Sequence, residues 1–292
     1  MFKFITGKPG NQAFLLIIWI IAALLQGCTV SQDPPQPNTW KSFWQLNKDL
    51  KIVTAAGYSQ LCLFDLKSLR DYPDSKYIPL LKSYADEGIQ ITVYVQEMEA
   101  NEKTLQLAQS IGASAVILYE KDLLTLFKEA GYQTYWWAGV AYPRDHSDLP
   151  TYLGWPDLRS AAVRQNIADW VIENYQKADT DGGVSLDYIR WNRVGDGREA
   201  EQITDLVQRI RSEWLEVGKG SVTAAVYPYM GKDPSYGGAL SVGQQWDQWL
   251  KNGLIDVAYP MAYKSQDIPV QLKEWAAYDK QKIVPCLSVM NY

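Results

Sequence analysis

Gly182-Gly183-Val184-Ser185-Leu186-Asp187-Tyr188-Ile189-Arg190-Trp191 decides how this chain is read. An apolar run drives straight into a carboxylate, an aromatic ring and a cation. A buried parallel strand is normally apolar throughout, so a charge at its C-terminal end must be exposed in a mouth, paired, or costly. In α/β folds that end of a strand is where sites are built. The alternative is structural: Arg190 neutralises Asp187 and the pair pins a loop.

Working outward, strand-like runs at 60–64, 90–95, 115–119, 133–137, 184–188, 222–227, 255–259 and 283–289 alternate with amphipathic stretches. Val163, Ile167, Trp170, Val171 and Tyr175 carry helical spacing, and so do Ile203, Leu206, Val207, Ile210 and Trp214. Gly88 and Gly131 sit where C-terminal caps would end helices, and Ser241 with Gln244 has the pattern of a capping box. Eight strands alternating with helices over roughly 250 residues predict a single α/β domain, a (β/α)8 TIM barrel, over an open doubly wound sheet. No helix follows the last strand before Tyr292, so either a helix near 40–55 takes that place or the sequence is truncated.

Before the barrel, Lys3 and Lys8 precede an apolar run from Ala13 to Leu25, too short to span a bilayer and laid out like a secretory signal. It ends in Leu25-Gln26-Gly27-Cys28, which resembles the lipobox of bacterial lipoproteins, with Cys28 as the lipidated residue. The organisation expected is therefore a signal peptide at 1–27, a lipid-anchored, proline-rich tether at 28–39 and the barrel at 40–292. The protein is expected to be exported, with the membrane as a partner through Cys28. Removing residues 1–27 takes away two lysines and no acid, moving the net charge from −5 to −7, which disfavours nucleic acid as a partner. His146 is the single histidine, so no histidine-rich zinc site can be assembled; an all-oxygen calcium site stays open as the alternative, and the expectation is neither metal nor cofactor.

In a barrel the C-terminal mouth would collect Asp65, Glu97, Glu99, Glu120, Asp145, Asp148 and Asp187. Strands lie about 4.8 Å apart, so carboxylates one or two strands apart fall near the roughly 5 to 9.5 Å separations that glycosidases use. Asp187 with Glu120 is the preferred catalytic pair by position, although Glu120 reads equally well as a helix N-terminal carboxylate. Long loops at 140–157 and 227–240, together with Trp136, Trp137, Tyr188, Arg190, Trp191, Tyr227, Tyr259 and Tyr263, would wall the mouth as a saccharide groove. Trp170, Trp214, Trp246, Trp249 and Trp275 read as packing, and His146 as a loop contact.

Four ordered motifs carry a resemblance. Residues 183–191, Thr223-Ala-Ala-Val-Tyr-Pro228, the Trp246/Trp249 helix running to Asp256, and Tyr259-Pro-Met-Ala-Tyr263 resemble the bacterial family-10-like glycosyl hydrolases. Residues 130–137 resemble that family's earlier Ala-Gly strand, whereas Asn192 stands where the family usually has proline. The resemblance implies a TIM barrel and O-glycosidase chemistry with Asp187 as the carried-over acid, but no substrate; the function expected is a lipid-anchored glycosidase acting on envelope or extracellular polysaccharide. A barrel that binds saccharide without cleaving it, and an envelope scaffold, are the alternatives. Cys62 and Cys286 lie on the first and last strands, and the expectation is that they are close without being bonded.

Overall fold

The structure, a computed structural model, describes residues 43–64, 66, 69, 76–95, 102–191, 200–231 and 238–289. Its strands are β1 (Gln60–Phe64), β2 (Gln90–Val95), β3 (Ala115–Leu118), β4 (Gln133–Gly139), β5 (Thr151–Tyr152), β6 (Trp155–Pro156), β7 (Gly183–Asp187), β8 (Ser221–Val226), β9 (Val257–Pro260) and β10 (Cys286–Ser288). Eight of them form one sheet in the order β10-β1-β2-β3-β4-β7-β8-β9, every pairing parallel. β5 and β6 make a separate antiparallel hairpin in the loop after β4. The sheet curls until its edges meet: Ala258 bridges Ile283, Met261 bridges Cys286, and Ala262 N–H donates to the Cys286 carbonyl at 2.8 Å. This is the α/β TIM barrel that the alternation of the sequence predicts.

The last strand is shorter than its apolar run. Pro285 has no N–H to give a ladder, and its carbonyl instead accepts from Cys62 N at 2.9 Å, so regular pairing begins only at Cys286. Helix Phe43–Ala55 buries Leu46, Leu50 and Val53 and packs against helix Ile268–Trp275, supplying the outer cover expected of a helix near 40–55.

Side-chain alternation sorts the two layers of core. Along β4, Trp136 points out to the helices and meets Trp170 with ring centroids 5.6 Å apart, while Trp137 points into the barrel. Trp214, Trp246, Trp249 and Trp275 are buried in the outer layer, and Trp170 packs partly buried against it. Gly88 and Gly131 follow helices with φ of +92° and +89°, the left-handed caps expected of them.

Ser241 and Gln244 do not form the capping box. Ser241 Oγ bonds back to the Gly238 carbonyl at 2.6 Å. Gln244 is buried, its Oε1 accepting Tyr227 N at 2.8 Å and its amide donating towards the Ile189 and Ala225 carbonyls. A polar side chain that looks like a cap is instead a tie between two strand exits. The signal peptide, the tether and Cys28 lie outside the described residues, and among the described residues no helix is long and apolar enough to cross a membrane.

Candidate ligand site at the barrel mouth

Asp187 ends β7 at the C-terminal mouth, where the apolar run breaks. The residue is half-buried, and both carboxylate oxygens are held: Oδ2 accepts the Trp137 indole N–H at 3.1 Å and Oδ1 accepts the Tyr188 backbone N–H at 2.6 Å. Tyr188 adopts φ of +52°, a left-handed conformation that an aromatic residue rarely takes and that costs on the order of 1 kcal/mol. Burial pushes the Asp187 carboxyl above the usual carboxylate range, against the Tyr188 N–H, the Arg190 charge and the Trp137 indole, which favour ionisation.

Around the carboxylate the strand ends contribute a continuous arc of rings. Tyr263 stacks on Phe64 at 5.1 Å, Phe64 meets Tyr94 at 6.2 Å, Tyr94 meets Trp137 edge-on at 6.1 Å, and Trp137 meets Tyr188 at 6.3 Å. Tyr142 stacks on Tyr188 at 4.6 Å, and Trp155 of the β5–β6 hairpin comes within 6.0 Å of it. Beneath the arc, the Tyr94 hydroxyl lies 3.0 Å from Ser185 Oγ.

Arg190 does not close on Asp187. Its guanidinium lies over Tyr188, Tyr227 and Trp155, at 5.3, 5.4 and 5.9 Å from the ring centroids, and among the described residues it forms no ion pair. The pinned salt bridge is therefore not what this loop builds. Each charge is held by its own neighbours, the carboxylate by two N–H donors and the cation by three ring faces.

The expected site residues divide cleanly. Asp187, Trp137, Tyr188, Arg190 and Tyr227 come together, and Tyr263 joins through Phe64. Trp136 does not, because alternation turns it outward. Trp191 is buried with the outer core, and its N–H donates to the Val242 carbonyl at 3.0 Å. Tyr259 is buried in the barrel interior below the mouth. Glu120 is exposed as the residue preceding helix Lys121–Glu129, with extended backbone. Asp148 is exposed, and Asp65, Glu97 and Glu99 lie outside the described residues.

Phe64, Tyr94, Tyr119 and Asp145 complete the wall. Tyr119 donates to Asp145 Oδ1 at 2.8 Å and sets its ring edge-on to Trp137 at 5.5 Å; burial and the Asp145 carboxylate push its hydroxyl up to about 12. The signal for the three aromatics was their place at the last position of β1, the next-to-last of β2 and just beyond β3. His146 is a loop contact, buried edge-on against Trp170 at 4.7 Å.

Chemically, the described part of this mouth offers the Asp187 carboxyl, whose ionised form burial disfavours, the Asp145 carboxyl held by Tyr119, the caged Arg190 cation and a wall of π faces. Among the described residues, the groups acting on Asp187 besides burial are Tyr188, Arg190 and Trp137, and Glu120 is not one of them. Among the described residues no cluster of three His, Cys, Asp or Glu side chains could hold a metal ion.

No family model matches the chain, and no curated protein matches it. It is similar to solved structures of dihydropteroate synthase from Thermus thermophilus (TM-score 0.42, 15% identity, covering 84% of this chain and 84% of that one) and from Xanthomonas albilineans (0.42, 12%, 84% and 79%). A glycerol uptake operon antiterminator-related protein from Thermotoga maritima is similar with a TM-score of 0.33 at 12% identity, over 86% of this chain and 90% of that one. None of these is a glycoside hydrolase. The resemblance to family-10-like glycosyl hydrolases, the O-glycosidase activity, the polysaccharide partner and the non-catalytic saccharide-binding alternative are therefore withdrawn. Nothing in the comparisons indicates the lipid anchor expected at Cys28, which lies outside the described residues. At this level of likeness none of the neighbours' ligands or reactions is carried over.

Proposed function

We propose that the barrel binds a small dipolar organic molecule at its C-terminal mouth. A cationic or N–H-donating group would meet Asp187, an anionic group would meet Arg190, and the body of the ligand would lie against the aromatic arc. The observation that carries this reading is the failure of two opposite charges, three positions apart at the end of β7, to pair. Trp137 and Tyr188 keep the carboxylate where it is, and Tyr188, Tyr227 and Trp155 keep the guanidinium where it is. Unpaired charges in a half-buried mouth are costly, and a ligand bearing both opposite charges satisfies them together.

The test is a calorimetric titration with low-molecular-weight zwitterions, amino acids and betaines, against matched amines and carboxylates. Dipolar compounds should bind saturably and the monopolar controls at least tenfold more weakly. Asp187→Asn and Arg190→Gln should each lower the affinity about tenfold or more, a change of about 1.4 kcal/mol. No binding by any dipolar compound, or equal affinity in both variants, overturns the proposal.

A further inference from the structure

We propose that Cys62 and Cys286 are a redox-switchable staple inside the barrel, joining the first strand to the last. The two are direct register partners across the β1–β10 ladder. Both thiols are free and buried, and Cys286 Sγ lies 3.2 Å from Cys62 Sγ, so both side chains point to the same side of the sheet. Neighbouring strands place Cα atoms about 4.8 Å apart, inside the roughly 4.4 to 6.8 Å window of a disulfide. A movement of about 1 Å brings the sulfurs to bonding distance.

The location makes the bond consequential. β10 is three residues long, and among the described residues the chain around it meets the β9 edge through isolated bridges and no regular ladder. A Cys62–Cys286 bond would fasten this weakly tied strand to β1. The thiols share the interior cluster with Tyr94, Trp137 and Tyr259, one layer below the mouth.

The chemistry balances with a hydroperoxide as oxidant. The thiolate of one cysteine attacks the O–O bond of hydrogen peroxide, giving a sulfenic acid and, after proton uptake, one water. The second sulfur, losing its proton, displaces the sulfenic hydroxyl as a second water. Two thiols are oxidised by two electrons in all, and one peroxide is reduced. Burial, then the neighbouring Cys286, pushes the Cys62 thiol well above its ordinary range, so the reaction in the folded barrel waits on opening of the β10 edge.

The test treats the full chain with hydrogen peroxide, then quenches, unfolds and maps it. A Cys62–Cys286 peptide should appear, the intact mass should fall by about 2 Da per bond, and dithiothreitol should reverse both changes. Amide exchange of β10 should slow by about tenfold or more on oxidation in the wild type and not in Cys286→Ala. If that variant does not fold, the wild-type map and exchange decide alone. Both cysteines remaining free, a bond to Cys28 instead, or unchanged β10 exchange in the bonded protein overturns the proposal. The outcome does not depend on what the mouth binds.

Discussion

Asp256 at the N-terminal end of the barrel and Asp187 at its C-terminal end are held in opposite ways. At the N-terminal end, Asp256 accepts both Arg211 guanidinium nitrogens at 2.9 and 3.2 Å and the Val222 N–H at 2.8 Å, and Asp181 accepts the Thr134 N–H and hydroxyl at 2.9 and 3.1 Å. These acids tie a strand start to a helix or to the neighbouring strand. At the C-terminal end, Asp187 is held by two N–H groups but faces no paired cation, and burial disfavours its charge. The difference teaches where stability is invested and where it is given up. Asp256, paired at the bottom, stabilises the barrel, and Asp187, with no paired cation at the top, costs stability to remain available.

The comparison breaks most severely at Gly183, where β7 begins. Its φ is +125°, and an added Cβ would lie 2.0 Å from the Ser221 carbonyl oxygen of β8. Gly183→Ala should destabilise the barrel by about 3 to 5 kcal/mol in denaturant unfolding, and a loss under about 1 kcal/mol would mean that the strand starts are not packed as described. Next comes Asp256→Ala, which removes three hydrogen bonds at a partly exposed site and should cost about 1 to 2 kcal/mol. A neutral result there would erase the contrast between the ends. Smaller again, Trp137→Phe removes a donor that favours the charged carboxyl. The Asp187 carbon resonance should then titrate at higher pH than in the wild type, while an unchanged midpoint would show that the indole does not hold this carboxylate.

Much of the fold was legible because it rests on local chemistry. The apolar runs that became β1 and β2 have the same bounds in sequence and structure, and the positive-φ glycines end helices where their position demanded. Asp187 was legible too, since a carboxylate after an apolar parallel strand has few places to go. The rest was hidden by facing. Trp136 and Trp137 are adjacent, and only the pleat decides that one faces helices and the other the mouth. Glu120 sits at a strand exit like Asp187, yet a helix begins at the next residue and leaves it exposed at the surface. The wall formed by Phe64, Tyr94 and Tyr119 depends on side chains from three separate strands meeting across the barrel, which no single stretch of sequence reveals.

The most direct measurement is the stability of wild type against Asp187→Asn by denaturant unfolding, followed from neutral pH down towards the unfolded carboxylate value. Because the folded carboxyl titrates above its unfolded value, ionised Asp187 costs stability at neutral pH, and that cost is relieved as pH falls through the folded value towards the unfolded one near about 3.9. The account predicts that Asp187→Asn is at least as stable as the wild type at neutral pH, with its advantage shrinking on acidification. If the variant is instead destabilised at neutral pH to the degree expected of Asp256→Ala, Asp187 is one more structural tie and the account of an acid held unpaired at the mouth is contradicted.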